Sequence, residues 1–295
     1  MDRCMICPRN CGADRDNQKT GYCGMPSEIR ASRAALHMWE EPCISGTKGS
    51  GTVFFAGCSL RCCFCQNQEI ALGNHGKVVT IERLADIFLE LEQQGAANIN
   101  LVTATHYVPQ VVKALEIAKS KGMLLPVVYN CGGYEKVETL RLLDGLVDIF
   151  LPDCKYLEKE TASNYSNAAD YPEVVKAALN EMFRQVGVFQ VDRWGYCRKG
   201  MIVRHLVLPG HTRNAIKVLE YLHEAFGDSI AVSIMNQYTP VRENIRFPEL
   251  NRKVTRREYE KVLKRAYDLD FAYGYYQEGE TAKESFIPPF GYQGL

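Results

Sequence analysis

The sequence predicts an α/β protein: a partial (β/α)6 parallel barrel with a small Cys-rich N-terminal segment. Three observations carry this reading. From about residue 50 onward, short apolar runs alternate six times with segments of helical periodicity. No hairpin signal separates these units, so successive strands should lie parallel under the right-handed βαβ rule. Nine of the 12 cysteines, at positions 4, 7, 11, 23, 43, 58, 62, 63 and 65, precede or enter the first unit, leaving Cys131, Cys154 and Cys197 for the remainder.

The first predicted strand is Thr52-Val-Phe-Phe55, β-branched and aromatic, entered through Gly49-Ser50-Gly51. Leu84, Ile87, Phe88 and Leu91 then recur at helical spacing. Ile99 to Thr103 reads as the second strand, followed by a helix marked by Val111, Leu115 and Ala118. Leu125 to Tyr129 is the third, with a short helix around Leu140 to Leu143, and Val147 to Leu151 is the fourth. Behind the fourth lies an amphipathic helix with Pro172 near its start and Val175, Leu179, Met182, Phe183 and Val186 on one face. Ile202 to Val207 is the fifth strand, Ile216, Leu219 and Leu222 mark the next helix, and Ile230 to Ile234 is the sixth. A last helix opens at the capping box Thr255-Arg-Arg-Glu258 and runs to about Asp270. Six units are too few for a closed eight-strand barrel, so an open one is expected, with its chemistry at the C-terminal strand ends. Residues 1–45 show little apolar periodicity and should lie outside the barrel; residues 46–295 form the barrel domain.

Composition removes several classes of protein. At 46% hydrophobic, with 35 basic residues against 35 acidic, the chain is not disordered. A chain of this length buries roughly 75% of its unfolded surface and needs no covalent staples. No apolar run approaches the roughly 18 residues of a membrane span. Zero net charge argues against a nucleic-acid groove, although a local basic patch is compatible with it. The opening Met1-Asp2-Arg3-Cys4 does not read as a signal peptide, so the cytoplasm is the expected compartment. Dense cysteines there are metal ligands sooner than disulfides.

Directly after the first strand comes Gly57-Cys58-Ser-Leu-Arg-Cys62-Cys63-Phe64-Cys65. The C-x3-C-x2-C spacing of Cys58, Cys62 and Cys65 lets one loop wrap a cubane, each thiolate on a different iron, with the fourth iron left open. The rival is a closed site that also uses Cys63, holding zinc or an electron-transfer cluster. Adjacent cysteines point in different directions, which argues against it. Cys4-x2-Cys7-x3-Cys11-x11-Cys23 is a second group, with glycine after both Cys11 and Cys23 permitting tight knuckles. It is read as one closed structural metal site, zinc ahead of an auxiliary Fe–S cluster, against a merely reduced segment. His37, Glu40 and Glu41 either cover the barrel mouth as substrate contacts or form a solvated linker.

The triplet, with an aromatic before its last cysteine at the end of a first barrel strand, resembles the radical S-adenosylmethionine (SAM) superfamily. Gly49-Ser50-Gly51-Thr-Val-Phe-Phe-Ala-Gly57-Cys58, the N-terminal cysteines and Glu40-Glu41-Pro42 resemble activating-enzyme-like members of its pyruvate formate-lyase activating-enzyme branch. The resemblance runs from Cys4 to about Gln277. It implies a [4Fe–4S] cluster on Cys58, Cys62 and Cys65, whose open iron takes the amino and carboxylate groups of SAM. One electron would cleave the C5′–S bond, and the resulting 5′-deoxyadenosyl radical would abstract hydrogen from a substrate in the barrel. A low-potential donor, flavodoxin- or ferredoxin-like, is implied as well.

At the other strand ends, Asp153-x-Lys155 matches a SAM-holding motif of that branch; the rival is an ordinary rim ion pair. The branch has a Gly-Gly-Glu type segment where this chain has Val102-Thr103-Ala-Thr105-His106. The Thr103 and Thr105 hydroxyls, or backbone carbonyls, are the candidate replacement acceptors for SAM, and the departure puts the branch's glycyl-radical chemistry in doubt. His106 is either ligand-facing or a satisfied rim histidine. Asn130 is the polar candidate in the turn Asn130-Cys131-Gly132-Gly133. Arg204 is preferred over His205 as the inward residue, and Met235 to Tyr238 borders the substrate or adenine pocket. The sequence thus predicts a radical SAM enzyme acting on a peptide or small molecule. Its rivals are an activating enzyme for a partner protein and a non-catalytic Fe–S or zinc protein. No catalytic acid or base is assigned, and no membrane or nucleic-acid partner is expected.

Overall fold

The computed structural model describes residues 3–73, 75–277 and 288–295. Its strands are β1 (Arg30–His37), β2 (Ser50–Phe55), β3 (Lys77–Val78), β4 (Ile99–Val102), β5 (Val127–Cys131), β6 (Ile149–Pro152), β7 (Gln190–Val191), β8 (Cys197–Leu206), β9 (Ala231–Met235) and β10 (Gly274–Tyr276). Between them run α1 (Pro42–Ser45), α2 (Gln68–Ala71), α3 (Ile81–Gln93), α4 (Val108–Ser120), α5 (Val137–Leu140), α6 (Lys159–Ser166), α7 (Tyr171–Val186), α8 (Thr212–Phe226) and α9 (Arg256–Leu269).

The strands form a mostly parallel sheet in the order β10-β9-β8-β6-β5-β4-β2-β1-β3, with β7 attached to β8. All pairings from β2 through β10 along that path are parallel, in registers such as Val53 opposite Leu101, Leu101 opposite Tyr129 and Tyr129 opposite Phe150. The protein is α/β with a mostly parallel central sheet. The six predicted strands lie in it as β2, β4, β5, β6, β8 and β9, and β10 adds a seventh parallel strand.

Two departures have local causes. Residues 30–37 do not lie outside the sheet: β1 pairs antiparallel with β2. Its burial alternates irregularly, because small Ala31, Ala34 and Ala35 supply its buried apolar positions and its one large apolar residue, Leu36, is only half-buried. There is also a hairpin, β7 against β8. Its turn uses the Asp192 carboxylate to accept from the Trp194 and Tyr196 amides, with Gly195 at φ +84°.

The helices cover the sheet with the faces their spacing predicts. Leu84, Ile87, Phe88 and Leu91 of α3, Val111, Leu115 and Ala118 of α4, and Val175, Leu179 and Met182 of α7 are almost wholly buried. Each large side chain so placed contributes roughly 1.5–3 kcal/mol. Phe183 and Ile216, predicted on such faces, are half-buried instead, and Val218 takes the inward position on α8. On α9 the Thr255 side chain accepts from the Glu258 amide while Glu258 accepts from the Thr255 amide, completing the capping box. Among the described residues no helix is long and apolar enough to cross a membrane.

Candidate functional site

A cavity of about 610 Å³ opens at the C-terminal ends of the parallel strands, within the range typical of ligand pockets. Cys58, Cys62 and Cys65, on the loop after β2, line it, as do Thr103 and Thr105 after β4, Asn130 on β5, Asp153 and Lys155 after β6, and Arg204 on β8. These strand-end residues therefore border one space; of the Met235 to Tyr238 segment, Met235 and Gln237 line it and Asn236 and Tyr238 do not. Cys63 does not line it; its amide donates to the Tyr165 carbonyl. Cys154 is fully buried in the hydrophobic core.

The loop is held from several sides. Ser166 on α6 donates to the Cys62 sulfur at 2.9 Å, and the Leu60 amide approaches the Cys58 sulfur at 3.4 Å. Phe64 sits edge-on among Tyr156, Tyr165 and Tyr238, which fixes the chain direction just before Cys65. Burial pushes the Cys65 thiol up to about 12, and the neighbouring Cys62 and Cys58 add to the effect. Burial raises the Cys58 thiol in the same sense.

One wall is a buried polar cluster centred on Arg204. Its guanidinium donates through Nε to Asp153 (2.9 Å), through one terminal nitrogen to Glu40 (3.2 Å), and through the other to Asn130 (2.6 Å). Lys155 donates to the other Asp153 oxygen. Burial would raise the Asp153 carboxyl, but Lys155 and Arg204 together hold it below its ordinary value. Asp153 and Lys155 are thus an ion pair and cavity wall at once. Arg204 points inward, while His205 faces away, its Nδ1 at 2.7 Å from the Cys154 carbonyl.

Thr103 has a left-handed backbone, φ +61°, which is costly for a β-branched residue. Its amide donates to the Asn130 carbonyl, so the strained turn is tied across to β5. Thr105 donates to Glu135 at 2.7 Å, and Tyr129 donates to the other oxygen at 3.1 Å. Glu135 lines the cavity and was not foreseen; burial lifts its carboxyl to about 7 against those two hydrogen bonds. It follows a Gly-Gly turn with no periodic context and stands beside Lys136 and Glu138, so nothing in the local sequence marked it. His106 turns away from the cavity, its Nε2 at 2.8 Å from the Ala56 carbonyl.

The N-terminal cysteines lie behind the cluster loop. Cys7 and Cys23 are buried, Cys4 is half-buried and Cys11 is exposed. Glycines 12 and 24 take φ +63° and +79°, turning the chain after Cys11 and Cys23. Burial alone would raise the Cys11 thiol, but the amides of Ala13 and Tyr22 outweigh it and bring it down. Arg9 ties this segment to the loop, donating to the carbonyls of Ser59 and Ser166, each at 2.8 Å, and of Asn167.

Among the described residues no three His, Cys, Asp or Glu side chains gather closely enough to hold a single metal ion. The four N-terminal cysteines are nonetheless neighbours: Cys11 hydrogen-bonds with Cys4, and Cys4 and Cys23 both bear on the buried Cys7. A cubane makes a different demand, because each thiolate takes its own iron and the sulfurs stand further apart. Three free thiols on one cavity-lining loop fit that demand at Cys58, Cys62 and Cys65.

The chain is 29% identical over 280 residues to the uncharacterized protein MJ0674 of Methanocaldococcus jannaschii, covering 92% of this chain and 76% of that one. The solved structure of SuiB from Streptococcus suis superposes with a TM-score of 0.49 at 13% identity. That overlap covers 79% of this chain and 49% of SuiB, so the chain spans about half that protein's length. Residues 52–222 match the radical SAM superfamily. With more than half its length so matched, the chain belongs to the radical SAM superfamily, enzymes that work with a [4Fe–4S] cluster and SAM.

Proposed function

We propose that this protein is an activating-enzyme-like radical SAM enzyme that abstracts a hydrogen atom from a peptide or small molecule. The observation that carries the reading is the sharing of one cavity by Cys58, Cys62, Cys65 and the Asp153–Lys155–Arg204 wall. When bound, the cluster supplies the electron that cleaves SAM and frees a 5′-deoxyadenosyl radical. The chain's own residues position the reactants and exclude water. The three thiols hold the cluster with one iron unligated by protein. Lys155 and Arg204 offer cationic donors to a carboxylate, and Asp153, Thr103, Thr105 and Asn130 offer acceptors to an ammonium or hydroxyl. Thr103 and Thr105 stand in for the acidic segment of the activating-enzyme branch. That departure favours a substrate other than a glycyl-radical partner, and generation of a glycyl radical on a partner enzyme is the second reading.

A flavodoxin- or ferredoxin-like protein donates the electron, and a reducing cytoplasm suits the 12 free cysteines. Cys4, Cys7, Cys11 and Cys23 hold a second metal site in this reading, zinc ahead of an Fe–S cluster, and metal analysis of anaerobic protein should give about four irons with one zinc per chain in the first case and about eight irons in the second. The test of the function is anaerobic reconstitution, reduction and measurement of 5′-deoxyadenosine release. Release by the wild type, with at least a 100-fold loss in Cys58→Ala, supports the reading. No release by the wild type, or full release by Cys58→Ala, sinks it. A glycyl-radical doublet on a co-purified partner would select the second reading.

A further inference from the structure

Two adjacent acidic residues at the cavity wall differ in what they touch. Glu40 is saturated: Oε1 accepts from Asn100 at 3.1 Å and from Asn130 at 3.2 Å, and Oε2 accepts from Arg204. Glu41, only 8% exposed and also lining the cavity, leaves its Oε2 without any hydrogen-bond partner. Ser233 is the hydroxyl on its side, and Arg204 is the nearby cation, already committed to Asp153, Glu40 and Asn130. Glu41 also sits at the N-terminal end of α1, yet its side chain makes no cap. The Ser233 hydroxyl answers one side of this carboxylate, and a carboxylate buried to this degree with its other oxygen empty costs free energy.

Among the described residues that line the cavity the cations are Lys155 and Arg204, both in contact with Asp153, and burial keeps the His37 ring neutral. Burial raises the Glu41 carboxyl, an effect that a cation docked beside it would reverse.

We propose that the substrate carries an amine or guanidine that docks on Glu41. This rests on the radical SAM reading for what happens next, but the recognition itself is a matter of binding. In the docked complex the cation donates to the empty Oε2 beside Ser233. Glu40, with all its acceptors in use, holds Arg204 in place and takes no part in the contact.

The test uses anaerobically reconstituted, SAM-loaded protein. Equilibrium binding of agmatine and N-acetyl-lysinamide is compared with that of the neutral N-acetyl-norleucinamide. At least a tenfold preference for the cationic probes is expected in the wild type, collapsing to less than threefold in Glu41→Gln. Glu41→Gln should also melt no lower than the wild type, whereas Glu40→Gln should melt lower. Equal or absent binding of all three probes overturns the proposal, as does a preference that survives in Glu41→Gln. A several-degree fall in its melting temperature, which would make the carboxylate a structural partner, overturns it too. Loss of SAM affinity with the probe preference intact would assign Glu41 to SAM and equally overturn it. Failure of the radical reading shows separately, as a wild type that releases no 5′-deoxyadenosine.

Discussion

The cysteines at the front and back of the cluster loop are treated differently by the fold. Cys58, Cys62 and Cys65 line the cavity, on a loop braced by Ser166 and by the aromatic box around Phe64. Cys4, Cys7, Cys11 and Cys23 do not line it, and their segment reaches the loop and the end of α6 through the Arg9 side chain. The two meet at Gly57, where a Cβ would come within 2.8 Å of the Cys23 carbonyl. Gly57 also holds φ +86°, so both the fit and the turn require glycine. The difference teaches that the front group is placed to act on a ligand and the back group is placed to hold the front. Each half of that statement can be broken separately.

The largest effect is expected at the front wall. Arg204 is the shared partner of Asp153, Glu40 and Asn130, and its side chain is 15% exposed. Arg204→Met would leave buried carboxylates uncompensated, at a cost of about 3–5 kcal/mol. Urea unfolding should show this as a lowered midpoint, and Glu40→Gln added to Arg204→Met should recover part of it. A loss below about 1 kcal/mol would mean that the wall is not a coupled unit, since an ordinary surface change is worth no more than that.

The next effect belongs to the back. Arg9 donates to three carbonyls of the loop and of the end of α6, and it lies over the Tyr22 ring at 3.9 Å. Replacing it with methionine keeps the aliphatic stem and removes the charged donors, so a loss of about 1–3 kcal/mol is expected. SAM cleavage should fall more steeply than bound iron, because the loop is displaced while its thiols remain. Cleavage at wild-type rate would reduce the back segment to a cover and break the comparison.

How much of this was legible depends on what each residue had to show. The parallel strands and the covering helices were readable because periodicity records burial on a regular element. Strand alternation showed that only one of Arg204 and His205 could face inward without saying which, and Asp153 with Lys155 was readable from their two-residue spacing. β1 was not, because alanines and arginines make up most of the strand without the usual β-branched run. The β7–β8 hairpin was overlooked although Asp192 and Gly195 bracket its turn, which is an ordinary turn signal. Glu135 and the contrast between Glu40 and Glu41 lay beyond the sequence for a different reason. Whether a carboxylate is saturated or empty depends on asparagines and hydroxyls brought in from distant strands, and no local pattern encodes that.

The smallest effect tests the seam between back and front. His106 is 1% exposed and packed between them. Its Nε2 meets the Ala56 carbonyl at the end of β2, and its own carbonyl accepts from Arg15 of the N-terminal segment at 2.7 Å. Since Nε2 must donate to that carbonyl, Nδ1 is a bare acceptor, and it has no partner. A proton there would be buried without an acceptor and close to the Arg15 charge; burial first and Arg15 second depress the imidazole from 6.5 to about 3. The unfolded chain therefore takes up a proton below about pH 6.5 that the folded chain refuses down to about pH 3. The stability that His106 contributes is complete above pH 6.5 and is lost as the pH falls, by about 1.4 kcal/mol for each unit within that window. His37 and His205, both depressed by burial to about 4, add slopes of the same sign, so the variant must be read as a difference. Glutamine at 106 reproduces the Nε2 donor and does not titrate. Between pH 6 and pH 5, His106→Gln should lose about 1 kcal/mol less stability than the wild type, measured by urea midpoints at the two pH values. Parallel losses in the two proteins would mean that the seam opens to water before His106 is protonated, and that back and front separate more easily than their packing implies.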